Sequence, residues 1–330
     1  MAKVPLPKIP NVFVYWRRGA LLALRSAAVG LPVTLLFNLF GLLGVEFVIG
    51  LLKDARSYDP ANIALVWQGC SVVALFLVLY LVVQIGKRRE ATAASWFPTL
   101  FLAPAVFFGG AWYFVSLSGT GPVGPGPMIF LVFAFNLLYQ SVFGAVCAIG
   151  VIRAGHAAHE GTPVPVGAVL SEMATRAVPV AVAHGAYIHF YLIGMQILLP
   201  GIFAQVQLAL TDMVAVLEPK AGALARSRKL TAPVRGRVFR LYFIGAILWI
   251  VVQTAIVIPI EGQQAFFSSF IDPSVPSLKL RILTGLVVGV VLWVEQLAYL
   301  EFYYDRVERE QLILGQRDAI ADDVLTPTPS

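Results

Sequence analysis

Long apolar runs separated by short polar segments form the pattern of this chain. The longest charge-free stretch lies between Glu90 and Arg153 and contains 62 residues. One helical crossing of a bilayer takes about 20 apolar residues. In lipid, a helix pairs its backbone polar groups within its own segment. The sequence therefore predicts an all-α fold, a polytopic transmembrane helical bundle.

Eight crossings account for the apolar runs. The run 177–217 is long enough for two of them, and Leu199-Pro200-Gly201 divides it, since proline and glycine both interrupt helices. The predicted spans are residues 27–52, 63–85, 97–117, 128–152, 177–199, 202–217, 241–260 and 282–302. Six crossings are the alternative, because 202–217 is short and polar and 177–217 then enters the membrane and returns.

Polar segments flank the predicted transmembrane domain, residues 27–302. Residues 1–26 form a cytoplasmic or interfacial segment, because 11–26 mixes aromatic and aliphatic residues with arginines. Residues 303–330 form a charged cytoplasmic tail. A second amphipathic stretch, near 166–177, has apolar residues at helical spacing and predicts an interfacial helix that leads into a span.

The distribution of Lys and Arg sets the predicted orientation. With eight crossings and the N-terminus inside, 20 of the 24 Lys and Arg residues lie on the cytoplasmic side. The other four are Lys53, Arg56, Lys279 and Arg281. Because Lys and Arg are enriched in cytoplasmic loops, the sequence predicts a multi-pass protein of the bacterial inner membrane with both termini in the cytoplasm.

Composition excludes a water-soluble protein. The chain is 58% hydrophobic and 13% charged, whereas a soluble domain is roughly 25% charged. The net charge of +6 does not predict nucleic-acid binding, because the basic residues stand at the ends of apolar segments. Anionic membrane lipids are the predicted partners, with membrane protein partners as an alternative. Cys70 and Cys147 fall in apolar segments and are expected to be packing residues.

Six polar residues inside the predicted spans are candidates for function: Glu46, His184, His189, Gln205, Asp212 and Glu295. A charge at the bilayer centre costs about 2.5–3.5 kcal/mol, so each ionisable group needs a partner, a cavity or a function. Glu46 lies near the outer end of its span, where its carboxylate can reach the headgroups. Asp212 and Glu295 are deeper, and both a buried hydrogen bond and a functional cavity remain open for them.

No metal site, cofactor or catalytic residue is predicted. His184 and His189 are five residues apart, about 140° around a helix, so they do not present one face to a metal. Hydrogen bonds between helices are expected for them instead. The sequence His156-x-x-His159-Glu160 lacks the order of zinc-protease motifs and is predicted to be a solvated loop after the fourth span.

The most basic part of the chain is residues 220–240, called the basic segment below. Its seven Lys and Arg residues are sufficient to hold the orientation, and each also contributes about 1 kcal/mol of attraction to an anionic leaflet. The candidates for contact with anionic lipid at the interface are Arg226, Arg228, Lys229, Arg235 and Arg237.

The C-terminal half resembles a known family. Its motifs, in order, are Leu199-Pro200-Gly201, Val214-Ala215-Val216-Leu217-Glu218, Ala225-Arg226-Ser227-x-x-Leu230 and Tyr303-Tyr304-Asp305-Arg306. Over about 166–310 this order resembles the membrane domain of glycerophosphoryl diester phosphodiesterases and related uncharacterised bacterial polytopic families. The resemblance implies a helical membrane module with interfacial helices. It does not imply catalysis, because the chemistry of that family resides in a separate soluble barrel.

Three classes of function are open. The interfacial helices and the basic segment favour a non-enzymatic membrane protein that handles lipid, or an accessory subunit of a membrane assembly. The alternative is a secondary transporter or channel with a polar cavity near Asp212 and Glu295, beside the divided run 177–217. A membrane-embedded enzyme is disfavoured, because the histidines and carboxylates do not form a convergent catalytic set.

Overall fold

The computed structural model describes residues 9–55, 139–164, 166–195, 199–269 and 277–325. Every regular element in these ranges is helical, which confirms the all-α prediction for them. The helices are α1 Val12–Ala55, α2 Ala145–His159, α3 Val166–Thr175, α4 Ala177–Met195, α5 Leu199–Leu208, α6 Thr211–Leu217, α7 Ala223–Thr231, α8 Arg235–Ser269 and α9 Leu278–Leu325. A π-helical turn, Gln140–Gly144, leads into α2, and a 3₁₀ turn, Ala232–Val234, joins α7 to α8.

Five helical segments are long and apolar enough to cross a membrane. A sixth results if α3 and the first part of α4, which meet at 70°, form one span. These lengths and compositions are those of a membrane protein. The predicted spans 63–85 and 97–117 lie outside the described residues, as does 128–138 of the fourth span, so the count of eight stays a prediction.

Helices α1 and α9 pack extensively against each other, and small residues bring their backbones together. A Cβ built on Gly19 would lie 2.6 Å from the main-chain nitrogen of Ala298. A Cβ on Gly30 would lie 2.6 Å from the indole nitrogen of Trp293. Glycine therefore permits the close approach that favours van der Waals packing between helices in lipid.

The buried core lies where α1, α2, α6, α8 and α9 meet. Its fully buried side chains include Tyr15, Ile149, Ile152, Leu210, Met213, Leu241, Leu297, Leu300 and Phe302. Large apolar side chains are also exposed on the described part of the fold, and those of α8 include Phe239, Phe243, Ile247, Ile250 and Val251. Exposed apolar surface of this extent is unusual for a soluble monomer and suits contact with lipid.

Three helices run further than hydropathy predicted. α1 joins the predicted interfacial segment to the first predicted span as one unbroken helix. α2 continues past residue 152 to His159, and α9 continues past residue 302 to Leu325. At 1.5 Å per residue α9 is about 72 Å long, more than twice the hydrocarbon thickness of about 30 Å. Hydropathy marks where apolar residues end, whereas contacts with other helices extend these helices beyond that point.

Two other local predictions agree with the structure. The amphipathic stretch near 166–177 is helix α3, which ends in the bend before α4. In α8 the regular helix is interrupted at Gly262, where φ is 86°, close to the predicted end of the seventh span at residue 260. A positive φ is readily adopted by glycine because it has no Cβ.

Candidate functional site

Helices α5 and α6 form one apolar segment interrupted at Ala209 and Leu210. An interruption leaves backbone N–H and C=O groups that need partners inside the protein when the segment lies in lipid. Two buried hydroxyls of α7 supply them. Ser227 Oγ donates to the Gln207 carbonyl (3.1 Å) and accepts from the Leu210 N–H (3.2 Å). Thr231 Oγ1 lies 3.0 Å from the same carbonyl and 3.0 Å from the Ser227 carbonyl, and its single hydrogen is shared between these two acceptors. The break is therefore a stabilised part of the fold.

Two arginines cap the carboxyl-terminal end of α6. Arg176, at the bend between α3 and α4, donates to the carbonyls of Ala215 (3.1 Å) and Val216 (2.8 Å). Arg153 of α2 donates to the Val216 carbonyl (3.1 Å) and forms an ion pair with Glu172. Because cationic side chains stabilise the negative end of a helix, these contacts hold α2, α3 and α6 in one arrangement.

A hydrogen-bonded pair joins α4 to the first turn of α6. His184 Nδ1 lies 2.9 Å from Asp212 Oδ1, and the two side chains are only 8% and 12% exposed. An ionised carboxylate can only accept, so Nδ1 is the donor whenever Asp212 is ionised. The interhelical hydrogen bond predicted for His184 is therefore present.

Two tyrosines of α4 continue the polar surface from this pair toward α5 and α8. The hydroxyl of Tyr187 donates to the side-chain carbonyl of Gln205 in α5. The hydroxyl of Tyr191 lies 3.4 Å from that of Tyr242 in α8. Tyr187 and Tyr191 are one turn apart, with ring centroids separated by 6.3 Å. Polar groups therefore extend along the inner side of α4.

Glu295 of α9 lies beside these tyrosines. Its carboxyl group packs over Gly245 of α8, where a built Cβ would lie 2.5 Å from the carboxyl carbon. Tyr187 is close enough to Asp212 and Glu295 to interact electrostatically with both, and Tyr299, one turn after Glu295, is buried. The polar cluster is defined here as His184, Tyr187, Tyr191, Gln205, Asp212, Tyr242, Glu295 and Tyr299.

The polar cluster contains four of the six predicted intramembrane candidates. They come from α4, α5, α6 and α9 and are His184, Gln205, Asp212 and Glu295. The other two are Glu46 and His189, whose side chains lie outside the described part of the structure. Sequence reasoning missed the tyrosines, for which the four-residue spacing of Tyr187 and Tyr191 in an apolar segment was the available signal.

Arg226 of the basic segment is held inside the structure by ion pairs. Its Nε lies 2.9 Å from Glu218, and its Nη1 lies 2.5 Å from Glu310 of α9. Lys229 contacts the same Glu310 (2.8 Å), although its side chain is 70% exposed. Tyr303 also donates to Glu218 (2.7 Å). Arg226 therefore fixes α7 against α9, a role that sequence reasoning did not assign to it.

Other basic side chains of this segment reach the surface of the described structure. Arg228, Arg235 and Arg240 are exposed, whereas Arg237 is half-buried. The guanidinium of Arg235 lies 5.9 Å from the ring centroid of Phe203, a cation–π contact that leaves it at the surface. Of the five predicted lipid contacts, Arg228 and Arg235 are therefore exposed and do not take part in the ion pairs with Glu310.

The sequence His156-x-x-His159-Glu160 is not a solvated loop, and that prediction is wrong. Both histidines lie in the last turn of α2 and pack against α9. His156 Nδ1 lies 2.5 Å from the Tyr304 hydroxyl, and His159 Nδ1 lies 2.8 Å from Glu301 Oε1. The nearby glycine and proline indicated a loop, but these contacts with α9 stabilise two further helical turns.

The described residues contain no group of three or more His, Cys, Asp or Glu side chains arranged to hold a metal ion. Cys147 is buried as a free thiol, and Cys70 lies outside the described residues. The chemistry that the polar cluster offers is hydrogen bonding and proton exchange, because its members are imidazole, carboxyl, amide and phenol groups.

Comparison with family models, with curated proteins and with solved structures gives no match to this chain. The resemblance of residues 166–310 to the membrane domain of glycerophosphoryl diester phosphodiesterases therefore stays a prediction. The fold defines the class of protein, a helical membrane protein, and its interior carries the polar cluster.

Proposed function

We propose that the chain is a non-enzymatic integral membrane protein that binds anionic lipid headgroups through its basic segment, either to handle lipid or as an accessory subunit of a membrane assembly. The exposure of Arg228, Arg235 and Arg240 carries this proposal. Each such charge contributes about 1 kcal/mol near an anionic leaflet. The ion pairs of Arg226 add rigid support, because they anchor α7 to α9.

The proposal includes a location in the bacterial inner membrane, with both termini and the basic segment on the cytoplasmic side. The bias of Lys and Arg supports this orientation. The start of α8 supports it further, because Arg235 and Arg240 directly precede the apolar part of that helix, from Leu241. Arginines in this position lie at the level of the headgroups when the following residues enter the hydrocarbon.

Replacing the three exposed arginines by glutamine, as Arg228→Gln, Arg235→Gln and Arg240→Gln together, is expected to weaken binding of phosphatidylglycerol at least about tenfold. The loss of three charges removes up to about 3 kcal/mol of attraction, before screening by salt. Native mass spectrometry of the full chain, titrated with phosphatidylglycerol, measures the change. It also detects any protein that remains bound in stoichiometric amount, which would support the accessory-subunit form.

The matched control carries lysine at the same three positions, which preserves the charge and is expected to retain binding. Unchanged phosphatidylglycerol binding in the glutamine variant would contradict the proposal. Equal losses in the glutamine and lysine variants would contradict it too, because charge would then not be the cause.

A second candidate function is transport, and the interrupted segment α5–α6 favours it. Transporters commonly form their substrate and ion sites where a membrane helix is interrupted near ionisable groups. Here the interruption at Ala209 and Leu210 is followed by the first turn of α6, which contains Asp212, and Glu295 belongs to the same polar cluster. In this proposal the polar cluster lines a water-accessible path.

The transport proposal predicts that a cysteine placed at position 295 is accessible to water. In a background lacking Cys70 and Cys147, Glu295→Cys is expected to react with a membrane-impermeant methanethiosulfonate reagent in intact vesicles. Leu297→Cys, two residues away at a fully buried position, is the control and is expected to stay unlabelled. Absence of labelling at position 295 would contradict an aqueous path through the polar cluster.

A further inference from the structure

Glu295 lies inside the apolar part of α9 and has no partner of opposite charge among the described residues. None of these residues donates a hydrogen bond to its carboxyl group, and no Lys, Arg or His among them is close enough to interact with it electrostatically. The residue is half-buried, so part of its surface stays accessible. An uncompensated carboxylate at membrane depth is costly and marks a functional site.

Four tyrosines lie around Glu295. Tyr187, Tyr191 and Tyr299 are each close enough to interact electrostatically with its carboxyl group. The hydroxyl of Tyr242 lies 3.4 Å from that of Tyr191, and the two rings meet at 81° with centroids 6.4 Å apart, so they form two walls of a corner. Tyr187, Tyr191 and Tyr242 are half-buried like Glu295. Aromatic surface therefore stays accessible beside an uncompensated carboxylate.

A glycine and two leucines complete the surroundings of the carboxyl group. A Cβ built on Gly245 of α8 would lie 2.5 Å from the carboxyl carbon of Glu295, so only glycine leaves room for the carboxyl group there. Leu248 and Leu292 lie three residues from Gly245 and Glu295, on the same helix faces, and both are exposed. A ligand of Glu295 therefore meets apolar side chains on either side of the carboxylate.

These groups together suit an organic cation. The carboxylate supplies the opposite charge, and the faces of tyrosine rings attract cations, most familiarly quaternary ammonium groups in aromatic cages. Divalent metal ions prefer several oxygen ligands, whereas Glu295 offers a single carboxylate. A proton would neutralise Glu295 as well, but it would leave the accessible aromatic surface uncovered. A bound ammonium compensates the charge and covers the rings at once.

We infer that Glu295, Tyr187, Tyr191 and Tyr242 form a binding site for an amphiphilic organic ammonium ion. The carboxylate compensates the charge of the ligand, and the tyrosine rings contact the alkyl groups on its nitrogen. The apolar body of the ligand lies against the exposed leucines of α8 and α9. The inference deepens the transport proposal, on which it rests for its biological use, by naming the class of substrate.

Equilibrium binding of a quaternary ammonium tests this site directly. The full chain is placed in nanodiscs of phosphatidylcholine, whose zwitterionic surface does not concentrate cations. It is titrated with tritiated benzyltributylammonium at about pH 8, well above the ordinary pKa of a glutamate. Wild type is expected to bind the probe saturably. Glu295→Gln keeps the shape of the side chain and removes its charge, so its affinity is expected to be at least about tenfold weaker.

Matched variants separate the charge of Glu295 and the ring of Tyr242 from general effects on the fold. Glu301→Gln removes another carboxylate of α9, which is bonded to His159, and is expected to leave binding unchanged. Tyr242→Phe keeps the ring and is expected to stay within about threefold of wild type, whereas Tyr242→Leu is expected to lose at least about fivefold.

The inference is overturned if wild type shows no saturable binding, since a protonated Glu295 would then be sufficient to explain the missing partner. It is also overturned if wild type and Glu295→Gln bind the probe equally. If Glu295→Gln does not fold, the comparison of the two Tyr242 variants decides, and equal affinities of these two would exclude the aromatic contact.

The binding titration and the labelling of Glu295→Cys separate this inference from the transport proposal. Saturable binding together with an unlabelled position 295 would keep the ammonium site and reject an aqueous path through the polar cluster. A labelled position 295 without binding of the probe would keep the aqueous path and reject an organic ammonium as the substrate.

Discussion

Gly19→Val is expected to destabilise the protein by about 3 kcal/mol or more. Overpacking usually costs about 1–3 kcal/mol, and more when the colliding atoms cannot move. Here a new Cβ would lie 2.6 Å from the main-chain nitrogen of Ala298, and no side-chain rotation relieves a collision with backbone. Helices α1 and α9 then have to separate, which exposes the core around Tyr15 and Leu297. Unfolding in mixed micelles by increasing dodecyl sulfate, followed by circular dichroism, measures the loss.

The same substitution at Gly167 is the control. No atom lies within 4 Å of a Cβ built on Gly167, and this residue is also helical. Gly167→Val is therefore expected to change the free energy of unfolding by no more than about 0.5 kcal/mol. Equal midpoints for wild type and Gly19→Val would show that the close contact of α1 with α9 does not exist.

The double variant Ser227→Ala with Thr231→Val is expected to lower the free energy of unfolding by about 4 kcal/mol. It leaves both the Leu210 N–H and the Gln207 carbonyl, at the helix break, without their side-chain partners. A buried unsatisfied donor or acceptor costs about 1–3 kcal/mol, and Ser227, Thr231 and Leu210 are all fully buried. Each single variant leaves the Gln207 carbonyl one donor, whereas the double variant removes both. The double cost should therefore exceed the sum of the single costs by about 1 kcal/mol. The same unfolding titration measures all three variants.

Thr175→Val is the matched control for Thr231→Val. Each of these hydroxyls lies close to the carbonyl four residues earlier in its own helix, at 3.0 Å for Thr231 and 2.8 Å for Thr175, but Thr175 is exposed. Its replacement is expected to change stability by no more than about 0.5 kcal/mol. Purely additive single costs would indicate that the two hydroxyls do not share the Gln207 carbonyl.

Apolar patterning located the long helices of the described residues but not their ends, and it did not predict α7, which lies in the basic segment. The apolar runs predicted helix because a chain in lipid must pair its backbone internally. The ends of α2 and α9 depend on contacts that no local pattern contains. His159 meets Glu301, and the Arg306 Nε donates to the Leu230 carbonyl (3.2 Å) across 76 residues of chain. Polar helical turns that are stabilised in this way look like loops in the sequence.

Half of the polar cluster could be predicted from the sequence, because placing a polar group in lipid costs free energy. That cost applies to each residue separately, so it selected His184, Gln205, Asp212 and Glu295 without any knowledge of their neighbours. Tyrosine carries little such cost, because its ring is largely apolar. The tyrosines were therefore recognised only where the structure showed Tyr187 bonded to Gln205.

The apolar runs of the sequence were sufficient to predict a lipid environment and an all-α fold, because hydrophobicity and the pairing of backbone groups within a helix are local properties. Only the tertiary structure decided which polar groups meet. In the folded chain His184 is hydrogen-bonded to Asp212, 28 residues away. Arg226, which was predicted to contact lipid, forms an ion pair with Glu310 instead. The physical reason is that hydrogen bonds and ion pairs depend on distances of about 3 Å, and the packing of whole helices sets those distances.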